Sequence, residues 1–188
     1  MNIKNETTIL NQLFNVGFAI FDYDYTLPSQ MLSSTNFHVD VIEPQTEMYF
    51  GPKEALFAEF MPLIQTMSYI FGNDPQVDAN ISRGQQDNSF SYHTDFHDGR
   101  SDFFILFYPK EWNFEDGGSL DLGVRNLLMS TVDHCCTYEP SVHQIVLINN
   151  LNPLFVHKVQ PISKNNMERY CGCIEIKRGT YGSNNQAS

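Results

Sequence analysis

Four side chains able to bind a metal or an anion stand in a fixed order along this 188-residue sequence. They are His93 and Asp95 in SYHTDFHDGR, His157 in PLFVHKVQP and Arg169 in MERYCGC. In an extended segment, residues two apart point the same way, so His93 and Asp95 share one face of a strand. A second imidazole brought back from His157 completes two nitrogens and one carboxylate, a set suited to an octahedral ferrous ion with positions left open. Arg169, further on, offers a two-pronged clamp for a carboxylate.

The tripeptide His-x-Asp is a weak signal alone, and His157 strengthens it because it lies in a second apolar segment able to cross the same sheet. His97 continues the alternation of His93 and Asp95 and is the rival ligand. Beside Asp98-Gly99 it reads as a loop residue closing the strand, able to tune a site by hydrogen bonding to the ligands. His38, His134 and His143 stand in polar or loop-like surroundings and read as exposed or structural.

The elements that must carry these residues follow from periodicity. Residues 5–16 place Ile9, Leu10, Leu13 and Phe14 at helical spacing and close at Gly17, and the short apolar strand GFAIFDY comes next. A second helical stripe runs over 53–71 through Leu56, Phe60, Leu63, Ile64, Met67, Ile70 and Phe71, with Pro62 expected to kink or divide it. From residue 79 the chain turns to short aromatic and β-branched segments at about 79–83, 89–95, 102–108, 119–124, 144–148, 154–160 and 169–176. Turn signals separate them, such as Gly99, Asn113, Gly117-Gly118 and Asn149-Asn150. Seven strands at that spacing predict a double-sheet jelly roll, and helices early with strands late predict an α+β, mainly β arrangement with the N-terminal helices packed on one sheet. The expected organisation is one domain over 1–188: a helical part over about 1–78, a core over about 79–177 and a frayed tail over 178–188.

Composition narrows the partners. A formal charge of −11 opposes long-range attraction to nucleic acid or an anionic membrane surface. The segment MNIKNETTILNQLF lacks the pattern of a secretory signal, and no apolar run is long enough for a spanning helix, so the expectation is a soluble, cytoplasmic protein. Cys135, Cys136, Cys171 and Cys173 then read as inert thiols. Thiols are the expectation over two disulfides, because the cytosol keeps thiols reduced, and neither pair has the spacing of a zinc site.

The segments FILFYPKEWNFEDGGSLDL, YEPSVHQIVLINN, PLFVHKVQPI and ERYCGCIEI, in that order, resemble the catalytic domain of prolyl-hydroxylase-type Fe(II)/2-oxoglutarate dioxygenases, the prolyl 4-hydroxylase and HIF-type prolyl hydroxylase group. The matching features are Tyr108, Trp112, Gly117-Gly118, Pro140, His157-Lys158-Val159-Gln160-Pro161 and Arg169-Tyr170, over about residues 79–177. The resemblance implies a double-stranded β-helix, with His93, Asp95 and His157 as iron ligands and Arg169 on the distal carboxylate of 2-oxoglutarate. Such enzymes often add a strand tyrosine on that carboxylate. Counting back from Trp112 sets Phe107 at its place, with Tyr108 beside it as the hydroxyl able to donate. Trp112 and the Gly117-Gly118 turn are expected as scaffold. The implied cofactors are Fe(II), 2-oxoglutarate as cosubstrate and O2, with ascorbate a further candidate. The implied reaction releases succinate and CO2 while hydroxylating a C–H bond. A prolyl or other protein or peptide side chain is the favoured substrate, with small molecules open, and an acidic enzyme suits a neutral or basic peptide.

Two other readings compete. FAIFDYDYTL resembles the first motif of haloacid-dehalogenase-type phosphatases, which would make Asp22 the nucleophile, Asp24 an acid/base and Thr26 a positioning group. That family needs alternating strands and helices downstream, which the β-rich second half does not offer. A non-catalytic jelly-roll binding module is the third reading, set against the presence of all four site residues.

Overall fold

The computed structural model describes residues 6–39, 46–84, 90–95, 101–139, 141–162 and 169–179. His97, Gly99, Pro140 and the tail from residue 180 lie outside the described residues.

The chain begins with helix α1 (Glu6–Asn15), which turns Ile9 and Leu13 inward. It stops at Gly17, whose φ of +90° is the left-handed conformation that ends helices and favours glycine. Strand β1 (Phe18–Asp22) follows directly. Two short strands, β2 (Phe37–Val39) and β3 (Thr46–Tyr49), then precede helices α2 (Glu54–Thr66) and α3 (Ser68–Phe71). Pro62 sits inside α2 without dividing it, and the break falls at Met67 instead. The Thr66 hydroxyl donates to the Pro62 carbonyl at 2.8 Å in the turn just before that break.

Eight further strands complete the chain: β4 (Gln76–Gly84), β5 (Phe90–His93), β6 (Phe103–Phe107), β7 (Leu120–Asn126), β8 (Thr131–Tyr138), β9 (Gln144–Asn149), β10 (Phe155–Val159) and β11 (Arg169–Lys177). They form a seven-stranded sheet in the order β1-β9-β6-β11-β4-β3-β2 and a four-stranded sheet in the order β5-β10-β7-β8. Every pairing among these strands is antiparallel.

Alternation along the large sheet divides its side chains between two cores. Ile105 and Phe107 of β6, Leu147 of β9 and Ile174 of β11 pack with Leu13, Leu56, Phe60 and Leu63 of the helices. Their neighbours Leu106, Val146 and Ile148 face Leu120, Leu122 and Tyr138 of the small sheet. The result is the mainly β jelly roll, with N-terminal helices covering one sheet. From Gln76 onward the described strands number eight against the seven expected, β8 being the addition, and the N-terminal part is less helical than 1–78 suggested, because β2 and β3 join the expected strand β1 within it. No described helix is long and apolar enough to cross a membrane.

Candidate metal and cosubstrate site

His157 sits at the middle of β10, in register with His93 at the end of β5. Asp95 follows two residues after His93, so both imidazoles and the carboxylate converge between the two sheets. One ligating atom from each residue lies within 4.8 Å of the others. His157 Nε2 stands 3.2 Å from Asp95 Oδ2, and His93 Nε2 stands 3.8 Å from Asp95 Oδ1. The His93 Nδ1 is 2.7 Å from the Ser91 carbonyl. A carbonyl only accepts, so Nδ1 is the donor in this bond, and Nε2 is the ring nitrogen left on the side of Asp95, the orientation a metal-binding histidine takes from its outer partner. His157 is buried while His93 and Asp95 are partly open. The cluster therefore has a dry wall and a solvent side.

Arg169 opens β11 and is also buried. Its Nη2 donates to the Tyr108 hydroxyl at 3.2 Å, and its guanidinium carbon lies 4.9 Å from the centre of the Tyr108 ring. The buried Nε has no hydrogen-bond partner, and no carboxylate among the described residues pairs with this guanidinium. A buried cation without an anion is costly, and an incoming carboxylate removes that cost while supplying the missing acceptor. Burial holds the Tyr108 hydroxyl well above its ordinary pKa, with the Arg169 charge opposing that shift, so the phenol remains a hydrogen-bond donor.

The trio and the clamp line one cavity of about 460 Å³, together with Leu106, Leu120 and Val159 as apolar walls. The backbone around the clamp is fitted to it. Gly118 has φ +74°, and a Cβ there would lie 2.7 Å from Arg169 Cδ. Trp112 Nε1 donates to the Gly117 carbonyl at 2.7 Å, which fixes the turn holding Gly118 over the arginine.

Each residue singled out in the sequence has a definite place. His93, Asp95, His157, Arg169 and Tyr108 come together in the cavity. Phe107, where counting back from Trp112 sets the tyrosine, faces the helices and packs on Phe60 at 4.6 Å between ring centres. Strand parity puts Tyr108 on the cavity side. His38, His134 and His143 are exposed or half-exposed, and His134 lies on strand β8 where a loop was expected. All four cysteines are free.

The phosphatase motif is dispersed. The Asp22 carboxylate accepts from Gln144 Nε2 at 2.9 Å, and Asp24 is almost fully exposed beside His143. The parallel alternation that motif requires is replaced by antiparallel pairing of β1 with β9. Three features escaped sequence reading: the fit of Gly118 to Arg169, the bond of Tyr25 to the Tyr108 backbone, and the presence of Cys171 and Cys173 in the cavity wall. Only the last had a legible signal, since both cysteines share the parity of Arg169 on β11.

The family model for the 2OG-Fe(II) oxygenase superfamily matches residues 79–171. The chain belongs to that superfamily. It is a 2-oxoglutarate-dependent oxygenase, an enzyme and not a binding module, and the metal and cosubstrate of its family are Fe(II) and 2-oxoglutarate. No curated protein matches the sequence.

Solved structures of the same fold include a prolyl-4-hydroxylase from Pseudomonas putida, with TM-score 0.67 and 16% identity over 94% of this chain and 100% of that one. The oxygenase is similar also to a prolyl hydroxylase from Trichoplax adhaerens in complex with a hypoxia inducible factor peptide fragment, with TM-score 0.62 and 14% identity over 92% and 88% of the two chains. HygX from Streptomyces hygroscopicus with nickel, 2-oxoglutarate and hygromycin B has TM-score 0.57 and 13% identity over 91% and 86%. The donor set of this oxygenase fits the family's metal, being two imidazoles and one carboxylate with a solvent-facing side, and Arg169, with a buried Nε lacking a hydrogen-bond partner and no carboxylate beside it among the described residues, fits a dicarboxylate.

Proposed function

We propose that this oxygenase holds Fe(II) with His93, Asp95 and His157 and binds the distal carboxylate of 2-oxoglutarate with Arg169 and Tyr108. The observation that carries the reading is the shared cavity: a three-ligand cluster at one part of its wall and a buried, anion-deficient guanidinium at another. When bound, the iron supplies the coupling of 2-oxoglutarate decarboxylation to oxidation by O2, giving succinate, CO2 and a hydroxylated substrate. The protein's own part is geometric. The Ser91 carbonyl orients His93, and Gly118 and Trp112 seat the arginine. Leu106, Leu120 and Val159 keep water from the cosubstrate end.

The whole chain acts as one catalytic domain, since a single apolar cluster runs from Ile9 to Ile176. The substrate is a prolyl or other side chain of a protein or peptide. The similarity of the fold to prolyl hydroxylases supports this choice, as does a charge of −11 that suits a neutral or basic peptide.

The test is an anaerobic titration of the purified apoprotein with Fe(II) and then 2-oxoglutarate, read as the visible metal-to-ligand charge-transfer band, with His157→Ala as control. A saturating band in the wild type that is missing from the variant supports the site. No band at any concentration overturns it. A peptide library scored for 2-oxoglutarate-dependent mass gain then tests the substrate class.

A further inference from the structure

The cavity wall contains two thiols that the proposed reaction does not use. On β11 the residues alternate between the helix side and the cavity side, and Arg169, Cys171 and Cys173 take the cavity side in succession. Cys171 lies against Tyr108 and Arg169, at the cosubstrate end. Cys173 is one further step along the strand, paired with Leu106 of β6 and Asn80 of β4, and it shares the cavity wall with Asp95. Cys173 thus lines the same chamber as the three candidate ligands His93, Asp95 and His157. The exposed Cys135 lies on the edge strand β8, outside this wall.

We propose that Cys173 is a self-oxidation site, taking the oxygen atom that would enter the substrate whenever 2-oxoglutarate is turned over with the substrate absent. This rests on the oxygenase reading of the cavity. In the balanced reaction, 2-oxoglutarate, O2 and the Cys173 thiol give succinate, CO2 and a cysteine sulfenic acid. The ketoacid gives up two electrons and the sulfur two, the four electrons reduce O2, one oxygen atom ends in succinate, and the other lies between sulfur and its proton. Cys171 does not readily trap the product as a disulfide. Residues two apart on a strand are about 6.6–6.8 Å from each other, at the upper limit for disulfide closure. The modified group fills part of the substrate chamber and removes the enzyme from turnover, and thiol reductants restore it.

The experiment uses the full-length protein loaded anaerobically with Fe(II) and 2-oxoglutarate and then exposed to air without substrate. Succinate is measured, and sulfenic acid is trapped with dimedone and located by peptide mass mapping. The expected result is a dimedone adduct on Cys173 that needs both Fe(II) and 2-oxoglutarate and grows with succinate, while Cys135 stays unlabelled. Hydrogen peroxide added to the apoprotein should reverse the order and label Cys135 first, because that thiol faces solvent. Cys173→Ser should abolish the turnover-dependent adduct and slow the decay of succinate formation. Succinate formed without a Cys173 adduct, or labelling of Cys135 at the same rate during turnover, overturns the proposal and leaves the oxygenase reading standing. The absence of both succinate and the charge-transfer band overturns the oxygenase reading itself.

Discussion

His157 and His93 are cross-strand neighbours on β10 and β5, with ring centres 4.3 Å apart and planes inclined by 59°. Their pairing lets two residues sixty-four positions apart in the chain present nitrogen lone pairs to one point. Replacing either His157 or Asp95 by Ala is expected to weaken Fe(II) binding by more than the roughly 10–100-fold cost of losing an outer-shell partner, with the circular dichroism spectrum and melting profile retained. Isothermal titration under anaerobic conditions measures the first and thermal melting the second. Unfolding of both variants would assign these residues to structure instead.

Arg169 and Tyr108 predict a graded effect on the cosubstrate. Arg169→Gln removes the charge and its charge-assisted bonds, worth about 1.5–3 kcal/mol, and should raise the KM for 2-oxoglutarate by about 10–100-fold. Tyr108→Phe keeps the ring and loses one neutral hydrogen bond, so the expected rise is about tenfold or less. Fe(II) affinity should be nearly unchanged in both. Equal loss of metal and cosubstrate binding would count against the clamp.

Gly172 tests the other face of β11. A Cβ there would run into the Phe107 ring, which is itself packed against Phe60. Gly172→Ala should therefore lower stability by about 1–3 kcal/mol through overpacking, and denaturant titration reads it directly. The cavity lies on the opposite side of the strand, so the 2-oxoglutarate charge-transfer band should form at unchanged cosubstrate concentration in the folded fraction.

Alkaline stability should depend on the buried phenols. Burial pushes the Tyr138 hydroxyl up to about 12, and the Tyr108 hydroxyl is raised as well, against an ordinary value of 10.0. Below pH 10 both states keep these protons and the stabilisation is complete. Above it the unfolded chain ionises first, so stability declines as pH rises from about 10 towards 12. The urea midpoint should fall across that window, and Tyr138→Phe should make the fall shallower.

What could be read from the sequence divides along physical lines. The strands buried on both faces, such as β6 and β9, announce themselves by apolar content, and the site residues by type and order. Strand β8 does not, because its segment TVDHCCTY lies at a sheet edge with most side chains exposed and carries no apolar period. The short strand β3 depends on pairing with β4, and β2 in turn on β3, and pairing of separate segments leaves no local mark. The helix break at Met67 rather than Pro62 has the same origin. Met67, Ile70 and Phe71 are all fully buried, and packing overrides the local penalty of proline. The choice between Phe107 and Tyr108 needed strand parity, which a one-residue error in counting reverses.

The segment that resembled a phosphatase motif has another occupation. Tyr25 donates its hydroxyl proton to the Tyr108 carbonyl at 2.7 Å and accepts the Tyr108 amide proton at 3.0 Å, taking both hydrogen-bonding groups of a residue that lies just beyond the end of β6. A side chain from the loop after β1 thus does there what an adjacent strand would do. Replacing Tyr25 by Phe would release the main chain beneath the phenol facing Arg169, so this distal loop is a handle for tuning cosubstrate affinity without touching the cavity.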